Sequence, residues 1–252
     1  MIILVSLYGL LIGSFLNVCI YRIPREESIV FPSSHCPTCG TSLKWFDLVP
    51  VLSYIAQRGR CRYCGGKISP QYPMVELLNS LVYALIFWRF GLSLTSLFYA
   101  IIFSILIVIA FIDLKEMIIP DILVIFIFII AIIYKVLSFI LYSKPLNLLN
   151  SIGGLVLSSL LFILIIFLSR GGMGEGDVTL IGSLGFILGV REIFLNIFLS
   201  FILGAIISIF LLITKLKNKK DPIPFGPFIV LGFFITVFWG EHIINWYIKN
   251  LF

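Results

Sequence analysis

The chain has 252 residues, of which 60% are hydrophobic and only 12% charged, with a net charge of +6. Soluble domains carry roughly 25% charged residues, and a water-soluble protein this apolar would expose patches large enough to aggregate. The composition excludes an ordinary soluble domain, and no basic domain or tail directs the positive charge toward nucleic acid.

The expected architecture is an all-α polytopic membrane protein with about eight transmembrane helices and one small loop module. A helix needs ~20 apolar residues to cross ~30 Å of hydrocarbon. Apolar runs fall at roughly 1–21, 74–90, 93–112, 120–141, 147–169, 178–190, 192–214 and 225–248. No Lys or Arg precedes the first run, so the basic region of a cleavable signal peptide is missing. Arg22 and Arg25 follow it instead. That order predicts a first helix that stays in the membrane with its N-terminus outside. The loops 22–73, 113–119, 170–177 and 215–224 then lie inside and hold 13 of the 18 Lys and Arg residues. This matches the positive-inside rule. No internal repeat of fixed period is evident.

The long loop 22–73 carries Cys36-Pro-Thr-Cys39 and Cys61-Arg-Tyr-Cys64, each followed by glycine. Paired CxxC motifs suit two zinc knuckles, with four thiolates around one structural Zn2+. A metal folds a loop too small to make its own core, and an inside loop is reducing, which weakens a disulfide reading. Cys19 lies in the first run and reads as a buried apolar residue. His35 reads as a solvated neighbour of Cys36.

Ionisable side chains at membrane depth are costly and mark functional sites. Glu26, Glu27, Asp47, Glu192 and Asp221 fall in or beside loops, and Glu241 lies near the end of the last run. Glu76 opens the second run, where the helix dipole favours an acid. Asp113 closes the third run, where an acid opposes the dipole. Lys115 and Glu116 read as solvated, and Asp121 after Pro120 as a first-turn acid. Asp177 follows the glycine-rich Gly171-Gly172-Met173-Gly174-Glu175-Gly176 and starts the sixth run. Its side chain suits a helix cap, a catalytic carboxylate, or both. Two facing carboxylates can share one proton, the ionised one activating a water and the protonated one polarising a carbonyl. Neither His35 nor His242 sits in a triad pattern.

Six segments in order resemble the type IV prepilin peptidases, membrane aspartyl proteases with a GxGD motif. They are Gly13-Ser14-Phe15-Leu16-Asn17-Val18 with Tyr21-Arg22-Ile23-Pro24, the paired CxxC loop, Gln71-Tyr72-Pro73-Met74-Val75-Glu76, Asp113 through Pro120-Asp121, Gly174-Glu175-Gly176-Asp177, and Pro224-Phe225-Gly226-Pro227-Phe228. The resemblance implies Asp113 and Asp177 as the catalytic pair, and cleavage of the basic leader of a type IV prepilin or pseudopilin. It implies a site at the cytoplasmic face of a bacterial inner membrane, with membrane lipid around it. It also implies N-methylation of the new terminus from S-adenosylmethionine, linked to an N-terminal region 1–91, with the peptidase in 92–252. Glu175 and Glu116 are candidates to meet the basic leader. A lysine often stands two residues after the second aspartate in the family, and here that position is Thr179. The competing reading is a transporter or ion pathway. It calls for midplane acids and paired broken helices, whereas these acids sit at helix ends. Gly182, Gly185 and Gly189 offer a small-residue packing face in the sixth run.

Overall fold

The computed structural model describes every residue except Lys144, Arg170, Gly171, Gly172, Lys219, Lys220 and Phe252. Gly171 and Gly172 of the glycine-rich turn, and the loop charges Lys144, Arg170, Lys219 and Lys220, therefore lie outside the described residues. The described chain is helical: α1 (Ile2–Arg22), α2 (Leu52–Ala56), α3 (Gln71–Phe90), α4 (Leu94–Glu116), α5 (Asp121–Tyr142), α6 (Leu148–Leu168), α7 (Glu175–Leu188), α8 (Val190–Ile213) and α9 (Gly226–Leu251).

Each apolar run forms a helix, but only six helices are long and apolar enough to cross a membrane: α1, α4, α5, α6, α8 and α9. The expected count of eight is therefore not reached on that measure. The shortfall has two causes. Helix α7 has 14 residues, about 21 Å at 1.5 Å per residue. Helix α3 is long enough but carries Gln71, Tyr72, Glu76, Asn79, Ser80 and Arg89.

The chain packs as two compact units, Met1–Val108 and Ile109–Phe252, the boundary falling inside α4. In the first unit α1 and α3 pack antiparallel along one seam. A Cβ on Gly9 would lie 2.7 Å from Ser80 Cα, and one on Gly13 2.7 Å from Glu76 Cα. Small residues let the backbones approach, and polar side chains bond across the gap, as membrane helices require. Asn79 Nδ2 donates to the Gly9 carbonyl at 2.8 Å, Ser80 Oγ to that of Ser6 at 2.9 Å, and Asn17 Nδ2 to that of Tyr72 at 3.1 Å.

In the second unit α7 packs mainly on α6 and also meets α5, α8 and α9. Gly154 and Gly185 bring the α6 and α7 backbones into direct contact, and Gly182 meets Ser159. Gly182 and Gly185 thus serve the expected packing face. Gly189 also packs on α6, against Gly154 and Asn150, and with φ +83 it ends α7 and turns the chain into α8. An aromatic cluster lies beneath the start of α9. Phe225 sits 5.1 Å from Phe201, 6.1 Å from Phe162 and 6.1 Å from Phe228, measured between ring centroids.

Candidate active site and metal centre

Asp113 stands in the last turn of α4 and is only 5% exposed. The helix ends on Met117, whose N–H donates to the Asp113 carbonyl at 3.0 Å and whose φ is +55. A long side chain in the left-handed region is uncommon, and here it turns the chain into Ile118-Ile119-Pro120. Asp113 Oδ2 accepts the N–H of Gly226 at 2.8 Å. Gly226 is the first residue of α9, so the carboxylate meets the positive end of that helix dipole. This contact compensates the acid for its unfavourable place at its own helix's C-terminus. A Cβ on Gly226 would fall 2.7 Å from Asp113 Oδ2, so glycine is needed there for close approach.

Asp177 is 7% exposed and occupies the third position of α7, not the cap position that its sequence context suggested. Gly174 is the cap residue. Asp177 Oδ2 accepts the Gly174 N–H at 3.2 Å, and the Asp177 N–H donates to the Gly174 carbonyl at 3.2 Å. This is the reciprocal pattern of a capping box, closed on one side by a backbone group. Gly176 seats the turn: a Cβ there would lie 2.8 Å from Ile119 Cβ. The α4–α5 connection and the start of α7 therefore touch at Ile119 and Gly176. Asp177 and Asp113 come close enough to interact electrostatically.

The arrangement leaves each carboxylate half committed. Oδ2 of each accepts one backbone N–H, and Oδ1 of each makes no hydrogen bond among the described residues. No basic side chain pairs with either acid among those residues. Thr179, where a family lysine often stands, turns its hydroxyl back to the Gly176 carbonyl at 3.0 Å. Lys115, Glu116, Asp121 and Glu175 are exposed around the pair.

The four cysteines meet as the spacing requires. The sulfurs of Cys36, Cys39, Cys61 and Cys64 all lie within 4.8 Å of one another, and every thiol is free of a disulfide. A tetrahedral site with Zn–S of about 2.3 Å places sulfurs about 3.8 Å apart, and Cys36 and Cys64 stand 4.0 Å apart. Hydrogen bonding with the Thr41 side chain and backbone holds Cys39 down at about 6. Hydrogen bonds from the Tyr63 and Cys64 N–H groups lower Cys61. Against a lowering bond from the Gly66 N–H, burial and the three neighbouring thiols push Cys64 up to about 11. Four sulfurs crowded together and only partly stabilised as thiolates fit a divalent cation.

The two knuckles repeat one geometry with a 25-residue offset, which the sequence reading missed. Gly40 N–H donates to the Cys36 carbonyl at 2.8 Å, and Gly65 N–H to that of Cys61 at 2.8 Å. Backbone bridges pair His35 with Ser42 and Arg60 with Lys67. The signal was present in Cys-Pro-Thr-Cys-Gly and Cys-Arg-Tyr-Cys-Gly, a repeat of two copies too short to stand out along the chain.

Three residues do more than their sequence context suggested. Asp47 is a buried hub. It accepts Lys44 N–H at 3.2 Å, Gln57 Nε2 at 3.3 Å and Tyr63 hydroxyl at 3.0 Å, and pairs with Arg62 Nε at 3.4 Å. Glu76 lies in the second turn of α3, too deep for the dipole alone to explain it, and is 6% exposed. Its Oε2 accepts the N–H of Val51 at 2.7 Å, where φ is +60. Arg22 is buried and donates to the carbonyls of Ser28 at 2.9 Å and Pro32 at 2.7 Å, tying the loop to the end of α1.

Two known families match this chain. The bacterial peptidase A24 N-terminal domain matches residues 7–90, and the type IV leader peptidase family matches residues 100–209. Among curated proteins, the chain is 36% identical over 254 residues to a prepilin leader peptidase/N-methyltransferase of Bacillus subtilis, covering 99% of this chain and 98% of that one. It is 34% identical to the protein of the same name from Legionella pneumophila, over 98% of this chain and 94% of that one. The like-named protein of Xanthomonas campestris is 31% identical, over 96% and 92%. No solved structure matches.

Proposed function

The chain belongs to the prepilin leader peptidase/N-methyltransferase family, and we propose that Asp113 and Asp177 are its catalytic pair, working at the cytoplasmic face of a bacterial inner membrane. The protein is an aspartic peptidase that removes the leader of prepilins and N-methylates the terminus so exposed. One observation carries the site reading: two buried acids on segments that meet at Ile119 and Gly176, each holding one backbone N–H and offering its other oxygen.

Chemistry follows from that half-committed state. Like charges this close do not both ionise readily, so the pair retains one proton. The ionised carboxylate takes a proton from water as its oxygen attacks the scissile carbonyl carbon. The protonated carboxyl hydrogen-bonds the carbonyl oxygen and stabilises the charge that gathers there. The C–N bond then breaks as the amine leaves with a proton. The Gly226 and Gly174 N–H groups hold the carboxylates in place throughout. A prepilin is anchored by its own apolar helix, so a site at a helix end reaches the leader junction without drawing it into hydrocarbon. The exposed acids Glu116 and Glu175 suit a basic leader.

Cys36, Cys39, Cys61 and Cys64 would hold one zinc ion. With all four positions filled by sulfur it would supply a cross-link and no catalysis. The methyl group comes from S-adenosylmethionine, and region 1–91 is the part linked to that step. The α1–α3 seam suits a cationic donor. Buried Asn17 leaves its Oδ1 without a partner, and buried Glu76 lies one turn farther along α3 than Tyr72, to which Asn17 bonds.

The test is cleavage of a co-expressed prepilin, read as a mobility shift. Wild type cuts; Asp113→Asn and Asp177→Asn each abolish cutting while the protein stays in the membrane. If both variants cut like wild type, the pair is not the catalyst.

A further inference from the structure

At the end of the second unit opposite the aspartates lies a cavity of about 190 Å³. Lys135, Ser138, Asn147, Asn150 and Ser151 line it, with apolar Leu146 and Leu188 beside them. Lys135 stands 14 residues beyond Asp121 on α5, about 21 Å along the helix. Its position places a cation well inside a span that is otherwise apolar. Such a charge needs a partner. The contact it makes is with the Phe186 ring, its Nζ 5.4 Å from the centroid. No acid lines the cavity. Ser138 and Ser151 are 7% and 2% exposed, and neither hydroxyl has a hydrogen-bond partner among the described residues. Asn147 caps α6, so the amides of its first turn, which precede the first intrahelical bond, face the same end. Asn150 accepts the Val190 N–H at 3.0 Å, which fixes this wall against the α7–α8 junction.

A cation, the hydroxyls of two largely buried serines and a helix start without an acid make a site for an oxyanion. The rim argues for which one. Ile140 is 66% exposed, Leu149 90% and Ile152 51%, so apolar surface runs away from the cavity along α5 and α6. That surface suits acyl chains. We propose that this cavity binds the phosphate of a phospholipid headgroup from the leaflet facing away from the aspartates, with its acyl chains along α5 and α6.

The test uses the full-length protein, delipidated in detergent, with phosphatidylglycerol, diacylglycerol or inorganic phosphate added, read by native mass spectrometry and melting temperature. Wild type retains phosphatidylglycerol, and at a hundredfold excess over Kd its Tm rises by about 5 °C or more. Diacylglycerol and inorganic phosphate leave Tm unchanged. Lys135→Gln loses the shift, Lys135→Arg keeps it, and Ser151→Ala weakens it. The exposed Lys249→Gln behaves as wild type. Equal retention by Lys135→Gln and wild type overturns the site. A full shift with inorganic phosphate overturns the lipid as its ligand. Should Lys135→Gln fail to fold, an unweakened response in Ser151→Ala overturns the site instead.

Discussion

Gly226 occupies a position where any side chain would displace the Asp113 carboxylate. Its N–H lies 2.8 Å from Asp113 Oδ2, and a Cβ would lie 2.7 Å from the same oxygen. The backbone on its N-terminal side is held by the Phe225 ring in the Phe162–Phe201–Phe228 cluster, so the strain falls on Asp113. Gly226→Ala is expected to lower prepilin cleavage about a hundredfold, the cost of an ångström-scale misplacement, with little loss of Tm. Unaltered initial rates would show that the contact does not position the acid. Asp177 permits a finer separation, because its carboxylate closes the capping box with Gly174 and is also the proposed partner of Asp113. Asparagine can still accept the Gly174 N–H, so Asp177→Asn keeps the cap and loses cleavage. Asp177→Ala loses both, and is less stable than the asparagine variant by about 1 kcal/mol. Equal stability of the two would mean that the cap contributes nothing. Both aspartates were legible in the sequence because an acid at a membrane helix end demands an explanation. Asp47 and Glu76 were misread because their partners, Tyr63 and Val51, lie 16 and 25 residues away in the chain.

The knuckle module shows how an element can be legible in its ligands and opaque in its support. Two CxxC pairs announce a metal clip, but nothing in the spacing says that Asp47 joins the halves. Its carboxylate collects groups before the second knuckle (Lys44 and Gln57) and inside it (Arg62 and Tyr63). Asp47→Ala leaves these donors unsatisfied, and loss of such support weakens metal affinity about tenfold or more. The expected result is lower zinc per purified chain, measured by elemental analysis under mild chelator. Full zinc retention would reduce Asp47 to a surface accessory. The helices follow a similar logic. Apolar runs located every long helix, yet α7 falls short of the length of an ordinary span, because Gly189 ends it after 14 residues. That ending depends on backbone conformation, which hydropathy does not record. Inside α7, Gly185 meets the Gly154 backbone. Gly185→Ala is overpacked by about 1–3 kcal/mol and should lower Tm, whereas loss of cleavage without loss of Tm would point to a role in the chemistry instead.

At the scale of the whole molecule the chain packs as two units, and its family carries two activities. The family matches divide in the same order, one over 7–90 and one over 100–209. Asp113 and Asp177 belong to the second unit, the four cysteines, Asn17 and Glu76 to the first. Methylation needs a free N-terminal amine, and cleavage creates it. The two steps are therefore ordered by chemistry even if their residues do not overlap. Asp113→Asn should block both activities on an intact prepilin, the second only for want of substrate. Given a pilin peptide already ending in the mature N-terminus, the same variant should methylate it at the wild-type rate. Cys39→Ser combined with Cys64→Ser should do the reverse, cutting intact prepilin while leaving the product unmethylated. The readout is the mass of the mature terminus, since one methyl group adds a fixed increment after cleavage. If Asp113→Asn failed to methylate the pre-cut peptide, the aspartate would act in both reactions, and the assignment of methylation to region 1–91 would fall.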